Sequence, residues 1–338
     1  MEMTAVRNDA PPAARTLWAE VWYRFRKNRL AVACLAVFGF YVALALAVAF
    51  GLIASNWNES VGEPYSAPSW VAIFQTNPQE TFFQKIGTAI KTIFIASTWT
   101  SNPFGTDIFG QSVLRKTIYS AKTSLTVAFV ASLISIGIGL PLGAIAGYFG
   151  RWIDELIVWV YSTLESIPYI LLILAFAFVL RDKVLFAGTS YEIPLTGITA
   201  VYLAIGLTSW VGLCRLIRGE VIKHKRRDYV VAAKAFGASD LYVLFRHIVP
   251  NVFHLVIIDF SLRFVGFIQA EVVLSFLGLG AKEQPSWGVM IDDARLELGR
   301  GVWWQMAAAT AAIFFLSLAL NIVGDALRDA LDPKLRGR

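Results

Sequence analysis

Charged side chains are scarce in this chain of 338 residues. Asp, Glu, Lys and Arg together make up 16% of it, whereas 57% of the residues are hydrophobic. A water-soluble globule of this size needs more polar residues than that to cover its surface. The composition therefore excludes an ordinary soluble domain and makes lipid the solvent for most of the chain.

Chemically reactive side chains are also few. The chain has two cysteines, Cys34 and Cys214, and three histidines. Two cysteines inside apolar stretches indicate neither a disulfide framework nor a metal cluster. The sequence contains no H-E-x-x-H zinc motif, no G-x-S-x-G nucleophile motif and no G-x-x-x-x-G-K-[ST] phosphate loop. These absences argue against an enzyme, and we expect no catalytic residue, no metal site and no bound cofactor in this chain.

Six apolar windows are separated by charged or polar stretches. Each is close to the roughly 20 residues that a helix needs to cross the hydrocarbon layer. Because unpaired backbone amides are costly in lipid, each window is expected to be helical. The sequence thus predicts an all-α polytopic membrane protein with about six transmembrane helices, at 30–54, 124–147, 153–180, 195–214, 252–274 and 303–322.

The net charge of +6 is concentrated next to three of these windows. If the helices alternate in direction, all three clusters lie on one side of the membrane, and the positive-inside rule makes that side the cytoplasm, with both termini in it. Basic residues beside a membrane are expected to contact anionic lipid headgroups rather than nucleic acid. The clusters precede the first helix (Arg24, Arg26, Lys27, Arg29), follow the fourth (Arg215, Arg218, Lys223, Lys225, Arg226, Arg227) and follow the sixth (Arg328, Lys334, Arg336, Arg338).

The segments between the helices differ in length. Residues 1–29 are a cytoplasmic segment with a short amphipathic helix, 55–123 a long outer segment, 275–302 an outer loop and 323–338 a cytoplasmic tail. The inner loop, 215–250, is where a soluble partner would contact the protein. Gly237 and the pair Ser239-Asp240 interrupt its helical pattern, so we expect two short helices joined at a turn, with Pro250 at the start of the fifth membrane helix.

The inner loop carries the run Tyr229-Val-Val-Ala-Ala-Lys-Ala-Phe-Gly237-Ala-Ser and then Phe245-Arg-His-Ile-Val-Pro-Asn251. It resembles the EAA loop of ABC importer permeases, which docks the ATPase. Neighbouring blocks resemble the dipeptide/oligopeptide permease family, from about residue 102 to the C-terminus. They are Phe104-Gly-Thr-Asp107, Ala146-Gly-Tyr148, Ser166-Ile-Pro168, Arg215-Leu-Ile-Arg-Gly-Glu220, Leu274-Ser-Phe-Leu-Gly-Leu-Gly280, Pro285-Ser-Trp-Gly288 and Gly324-Asp-Ala-Leu-Arg-Asp-Ala-Leu-Asp-Pro333.

The resemblance implies the fold of a type I importer permease in the bacterial inner membrane. It implies a second homologous permease subunit, two cytoplasmic ATPase subunits that bind ATP and magnesium, and an extracytoplasmic solute-binding protein. Val231 stands where many such loops have glutamate, and Asp228, one turn earlier, could present a carboxylate on a similar face. The residues expected to contact the ATPase are Asp228, Tyr229, Ala232, Ala233, Gly237, Ala238, Ser239, Arg246, His247 and Pro250.

Four charged residues lie in or beside the predicted membrane helices: Glu165, Asp259, Arg263 and Glu271. They either line a path for a zwitterionic peptide or hold helices together inside the bundle. For Asp259 and Arg263, four residues apart on one helix, pairing within the bundle is the favoured interpretation.

The resemblance favours di- or oligopeptides as the transported solute. Two alternatives stay open: nickel complexes or other small solutes, whose permeases share these blocks, and a secondary transporter. The latter usually has more helices and two corresponding broken ones.

The topology predicts that Ser66 and Gln284 face outward and that Ser239 and Gly337 face inward. Single cysteines at these four positions, in a background without Cys34 and Cys214, should react accordingly with a reagent that cannot cross membranes. Labelling of Ser239→Cys in intact cells would contradict this topology.

Overall fold

The computed structural model describes residues 17–69, 71, 84, 102–181, 183–185, 193–195, 197–280 and 283–331. Most of them are helical, which confirms the predicted fold class. The helices are α1 Leu17–Lys27, α2 Arg29–Ala49, α3 Val113–Phe149, α4 Arg151–Glu165, α5 Tyr169–Leu180, α6 Ile198–Thr208, α7 Val211–His224, α8 Asp228–Ala235, α9 Asp240–Tyr242, α10 Val249–Phe276, α11 Trp287–Glu297 and α12 Trp304–Leu331.

Three shorter elements complete the described chain. A π-helical turn, Val243–Ile248, joins α9 to α10, and a 3-10 turn, Leu298–Arg300, follows α11. An antiparallel pair of strands, β1 Lys183–Leu185 and β2 Ile193–Leu195, lies between α5 and α6. The strands and α11 occupy segments that the sequence analysis treated as outer loops, because such short elements leave no clear periodic pattern.

Five helical segments are long and apolar enough to cross a membrane, and a bent helix pair makes a sixth. The segments are Arg29–Ala49, Val113–Phe149, Ile198–His224, Asp240–Phe276 and Trp304–Leu331, with Arg151–Glu165 and Tyr169–Leu180 as the bent pair. Several extend well beyond the predicted windows: they begin at 113 rather than 124, and end at 224 rather than 214 and at 331 rather than 322. Hydropathy marks only the apolar part of a helix, whereas its backbone hydrogen bonds continue into the polar region.

The third predicted helix, 153–180, is not one continuous helix. It consists of α4 and α5, whose axes differ by 93°. Pro168 has an extended backbone at the start of α5, and it has no N–H to continue the hydrogen bonds of α4. The hydropathy of the window did not predict this bend, because hydropathy does not report the direction of a helix axis.

The fifth predicted helix, 252–274, is longer than predicted. Pro250 lies at the start of α10, as expected, but the helical path extends back beyond it. The helical path begins at Asp240, where the Ser239 hydroxyl accepts from the backbone N–H of Tyr242. It passes through the π-helical turn, whose last hydrogen bond runs from the N–H of Val249 to the carbonyl of Leu244. The last 11 of the 36 residues of the predicted inner loop, 240–250, therefore continue directly into a membrane helix.

Helix α3 lies at the centre of the bundle, in contact with α2, α4, α6, α7, α10, α11 and α12. Its closest neighbour is α7, which it meets along three glycines spaced four residues apart. A side-chain carbon on Gly139 or Gly147 would lie 2.7 Å from a backbone oxygen of the facing helix, and one on Gly143 would collide with such an oxygen. The facing carbonyls belong to Trp210, Cys214 and Arg218. The glycines therefore set the separation of the two backbones.

The described part of the outer segment is anchored to α3 by a buried ion pair. Asp107 accepts from the backbone N–H groups of Phe109 and Gln111, each at 2.9 Å, and its second oxygen lies 3.0 Å from the Lys116 ammonium. Asp107 and Lys116 are both buried. The Asp107 carboxylate thus compensates the positive charge of the buried Lys116 side chain at the start of α3. Residues 72–83 and 85–101 of the predicted outer segment lie outside the described residues, as does Gly337.

The amphipathic helix α1 packs against the end of α12. Val21 is buried in a small cluster with Ala330 and Leu331, and Phe25 is buried as well. Trp22 stacks on Phe25 and is itself exposed. One face of α1 is therefore occupied by the protein itself, and the exposed Trp22, Arg26 and Lys27 are placed to meet a membrane surface.

Substitution of Gly143 by alanine should destabilise the bundle by about 1–3 kcal/mol, because the new methyl group collides with the carbonyl of Cys214. Gly137, on the same helix, is exposed with open space around it, so Gly137→Ala should be neutral or slightly stabilising. Thermal unfolding of the purified variants, followed by tryptophan fluorescence, measures both effects. Equal unfolding midpoints would show that the glycine contact does not set the packing.

Candidate coupling surface and translocation cavity

The inner loop rests on the C-terminal end of α3 through a polar cluster. The Tyr148 hydroxyl donates to Asp240 at 2.7 Å, and the Lys225 ammonium donates to the Tyr148 carbonyl. Lys234 pairs with Asp240 at 3.0 Å, and this interaction raises the pKa of Lys234. One tyrosine thus connects three segments: α3, the residue after α7, and the start of α9.

The inward side of the loop is fully packed. Val230, Val243, Leu244 and Ile248 are almost completely buried. They share one apolar cluster with α3 and α7, whose members include Ala144, Tyr148, Leu213, Ile217 and Val221. The loop is therefore a rigid part of the bundle and not a loose connection.

The opposite side of the loop exposes apolar side chains around the Gly237 turn. Gly237 has a φ of +83°, a conformation that strains other residues, and Phe236 beside it is 92% exposed. We call this set of residues the loop-tip surface: Val231, Phe236, Gly237, Leu241, Tyr242 and Phe245. Such a patch on a rigid base marks a contact for another protein.

The sequence analysis named only part of this surface. Of the residues that it proposed, Asp228, Ala232, Gly237, Ser239, Arg246 and Pro250 are exposed, and Tyr229, Ala233, Ala238 and His247 are half-buried. Ser239 caps α9, and the Tyr229 hydroxyl lies 2.8 Å from a His224 ring nitrogen, so these two side chains act within the loop.

The sequence analysis did not name Phe236, Leu241, Tyr242 and Phe245, which form most of the loop-tip surface. The available signal was a set of large apolar residues on both sides of a glycine turn in a charged loop. The sequence analysis suggested that Asp228 could supply the carboxylate that many such loops carry at the position of Val231. Both residues are exposed on α8, and this suggestion stays a prediction.

Two ion pairs connect α7 to α4. Arg218 donates to both carboxylate oxygens of Asp154, at 2.5 and 2.7 Å, and Arg215 pairs with Glu165. The first pair is bidentate, which fixes orientation as well as distance. The sequence analysis noted no such partner for Asp154, because the two residues are 64 positions apart.

A cavity of about 600 Å³ lies beside two helix junctions, the bend between α4 and α5 and the break between α6 and α7. Helix α10 closes its third side. The lining is mostly apolar: Leu164, Glu165, Ile167, Pro168, Tyr169, Leu172, Thr208, Ser209, Val211, Gly212, Leu262, Arg263, Gly266 and Phe267. A volume of this size is typical of a small-molecule site.

Hydrogen bonds across this cavity join the two helix breaks to α10. The hydroxyls of Tyr169 and Ser209 lie 2.9 Å apart, and Arg263 donates to the Ser209 carbonyl at 3.1 Å. Arg263 also donates to Asp259 at 2.7 Å, which confirms the predicted pairing on one helix face. The polar groups released by the breaks thus find partners within the protein, as the membrane interior requires.

The four intramembrane charges proposed from the sequence do not form one group. Glu165 and Arg263 line the cavity, and Asp259 lies outside its lining. Glu271 is 2% exposed and accepts from Ser124 at 3.0 Å and Ser275 at 2.7 Å, in a separate cluster between α3 and α10. Glu271 therefore holds helices together. Within the described residues, no three metal-ligating side chains are grouped.

A bundle of five or six apolar spans around a cavity, with a rigid inner loop, defines a multi-pass membrane permease. Residues 139–337 match the family model described as binding-protein-dependent transport system inner membrane component, and 16–68 match the N-terminal TM domain of oligopeptide transport permease C. The chain belongs to the family of binding-protein-dependent transport system inner membrane components, which confirms the resemblance, and it is a multi-pass protein of the bacterial inner membrane.

Curated relatives match almost the whole chain. The dipeptide transport system permease protein DppC of Bacillus subtilis is 32% identical over 94% of this chain and 86% of its own length. The oligopeptide transport system permease protein OppC of Haemophilus influenzae is 31% identical, with coverages of 95% and 90%. The glutathione transport system permease protein GsiD of Pectobacterium atrosepticum is 30% identical, with coverages of 96% and 93%.

A solved structure of the MetNI methionine ABC transporter, in an inward-facing conformation, shares the fold. Its TM-score is 0.50 at 15% identity, and the match covers 64% of this chain and 96% of the other.

Replacing Tyr148 by phenylalanine should loosen the inner loop, because Asp240 loses a hydrogen bond while the ring packing is kept. At about 1–1.5 kcal/mol for such a bond, amide hydrogens of residues 229–240 should exchange roughly 5–10 times faster. Hydrogen exchange with mass spectrometry measures this. The control is Tyr119→Phe, at the opposite end of α3. Unchanged exchange in both variants would contradict a supporting role for the tyrosine.

Proposed function

We propose that this chain is one of two permease subunits of an ATP-driven importer for di- or oligopeptides. It pairs with a second, homologous permease to enclose the path. Two cytoplasmic ATPase subunits bind ATP and magnesium and drive the cycle, and an extracytoplasmic binding protein delivers the solute. The chain itself carries no catalytic step. The observation that supports this assignment most directly is the loop-tip surface on its rigid base.

A soluble protein is a better occupant of the loop-tip surface than lipid. Phe236 protrudes from a loop that also presents Arg226, Arg227, Asp228 and Lys234 to solvent. Insertion of the loop into hydrocarbon would remove water from these charges at a high cost in free energy. A protein groove can instead accept the apolar side chain and pair the charges at its rim. The two alanines of α8 and the Gly237 turn leave room for close approach of a partner backbone.

The loop-tip surface has short physical connections to the cavity. Through the π-helical turn it continues into α10, which carries Arg263. Through the buried cluster it is packed on α7, and the Arg218–Asp154 pair joins α7 to α4. Because α4, α7 and α10 surround the cavity, a rigid displacement of the loop by an ATPase would move three of its walls together. This is the arrangement that alternating access requires.

The orientation in the membrane follows from the same assignment. The inner loop carries Arg215 to Arg227 and contacts the ATPase, so it lies in the cytoplasm, together with both termini. The outer segment 55–123 and the outer loop then face the binding protein.

Peptides are favoured as the solute because three relatives are named for dipeptide, oligopeptide and glutathione transport. The selection among peptides would rest largely with the binding protein.

Changing Phe236 to serine should weaken ATPase docking, because the most exposed apolar side chain of the loop-tip surface is lost. Gly237→Asp should be more severe, since it adds backbone strain of about 1–3 kcal/mol and a charge that docking would bury. Gly237→Ala adds only the strain, because its new methyl group meets no atom of the described chain within 4 Å. The matched control is Phe50→Ser, an exposed phenylalanine just after α2.

The measurements are retention of the ATPase subunits in a pull-down and ATP hydrolysis stimulated by loaded binding protein. We expect Phe236→Ser and Gly237→Asp to reduce both and Phe50→Ser to reduce neither. Wild-type values for Gly237→Asp would show that this loop does not couple the two proteins.

A further inference from the structure

The cavity between α4, α7 and α10 presents two opposite charges to whatever occupies it. Among the described residues that line it, Glu165 and Arg263 are the charged ones. Each has a counter-ion, but neither counter-ion is part of the lining: Glu165 pairs with Arg215, and Arg263 with Asp259. An occupant therefore meets an anion at the α4 side and a cation at the α10 side.

Arg263 keeps capacity for a ligand. A guanidinium has five N–H donors. One is used on Asp259 and one on the Ser209 carbonyl, and the others have no hydrogen-bond partner in the described part of the chain. The Asp259 side chain is only 12% exposed, whereas that of Arg263 is 34% exposed, so the carboxylate sits behind the cation as seen from the cavity. A planar guanidinium held in this way is suited to a carboxylate.

Glu165 is similarly placed at the other end. Its side chain is 41% exposed, at the last residue of α4, where the 93° bend turns the chain away. Its partner Arg215 contacts the face of Tyr161 as well, which holds the guanidinium outside the cavity. The carboxylate of Glu165 can therefore accept from an ammonium group without a change in α7.

We propose that this cavity binds a zwitterion that carries a free ammonium group and a free carboxylate, with the ammonium on Glu165 and the carboxylate on Arg263. A simple anion would be opposed by Glu165, and a simple cation by Arg263. The apolar remainder of the lining accommodates side chains with little selectivity. This site deepens the proposed function and rests on it: the permease itself would check both ends of a short peptide.

Direct binding to the assembled, nucleotide-free complex in nanodiscs, without binding protein, tests the site. The probes are three tritiated compounds: dialanine, N-acetyl-dialanine and dialanine amide. For the wild type we expect tightest binding of dialanine. Arg263→Gln should raise the Kd of dialanine at least tenfold and change that of dialanine amide less than twofold. Glu165→Gln should raise the Kd of dialanine similarly and leave that of N-acetyl-dialanine nearly unchanged.

Two further variants separate recognition from folding. The double variant Arg263→Gln with Asp259→Asn removes the charge pair without leaving an unpaired carboxylate, and it should reproduce the dialanine loss. Glu271→Gln changes a carboxylate of α10 outside the cavity and should leave all three Kd values unchanged.

Equal binding of the three probes by the wild type, no binding of dialanine, or equal weakening of all probes by each variant would overturn the proposal. ATP-driven uptake of dialanine by the wild-type complex with its binding protein is a separate measurement. Suppose that dialanine is taken up but the Arg263 and Glu165 variants do not differ in their effects on the amide and acetyl probes. This result would reject the zwitterion site without contradicting the importer function. Absence of uptake would instead count against the importer function.

Discussion

The close contact between α3 and α7 is the packing constraint on which the rest of the bundle depends. Lipid supplies no hydrophobic force between helices, so helices in it associate through close packing and hydrogen bonds. Gly139, Gly143 and Gly147 let the carbonyls of α7 approach the backbone of α3. The register fixed there places Arg218 opposite Asp154 and Lys225 at the end of α3. The position of the inner loop therefore follows from a contact deep in the membrane.

The second constraint is the need to satisfy backbone groups at the helix breaks. The bend at Ser166 to Pro168 and the junction at Ser209 both interrupt helical hydrogen bonds near the cavity. Arg263, Tyr169 and Ser209 supply hydrogen bonds at this point. Polar groups at helix breaks inside lipid are stable only because they bond to each other. The proposed solute site at Glu165 and Arg263 would share Arg263 with this network of structural hydrogen bonds.

The inner loop shows how a short sequence can have two faces with different purposes. Val230, Val243, Leu244 and Ile248 attach it to α7, while Phe236, Leu241 and Phe245 face outward. The π-helical turn contains residues of both kinds, with Val243 and Leu244 buried and Phe245 exposed, and it joins the loop to α10 without a break in the helical path. Proline follows such a turn readily, since it has no N–H to donate. The loop therefore combines a packed base with an exposed apolar tip, which are the two features on which the proposed coupling role depends.

The sequence alone determined the solvent of the chain, the number of apolar segments, the i, i+4 pairing of Asp259 with Arg263, the Gly237 turn and the family. These follow from composition and from contacts between near neighbours, which period and spacing express directly. Only the tertiary structure decided that the third span is bent by 93°, that Asp154 pairs with Arg218, and that Glu165 and Arg263 share a cavity while Glu271 does not. Those features join residues far apart in the chain, and local patterns hold no information about which distant helix faces which.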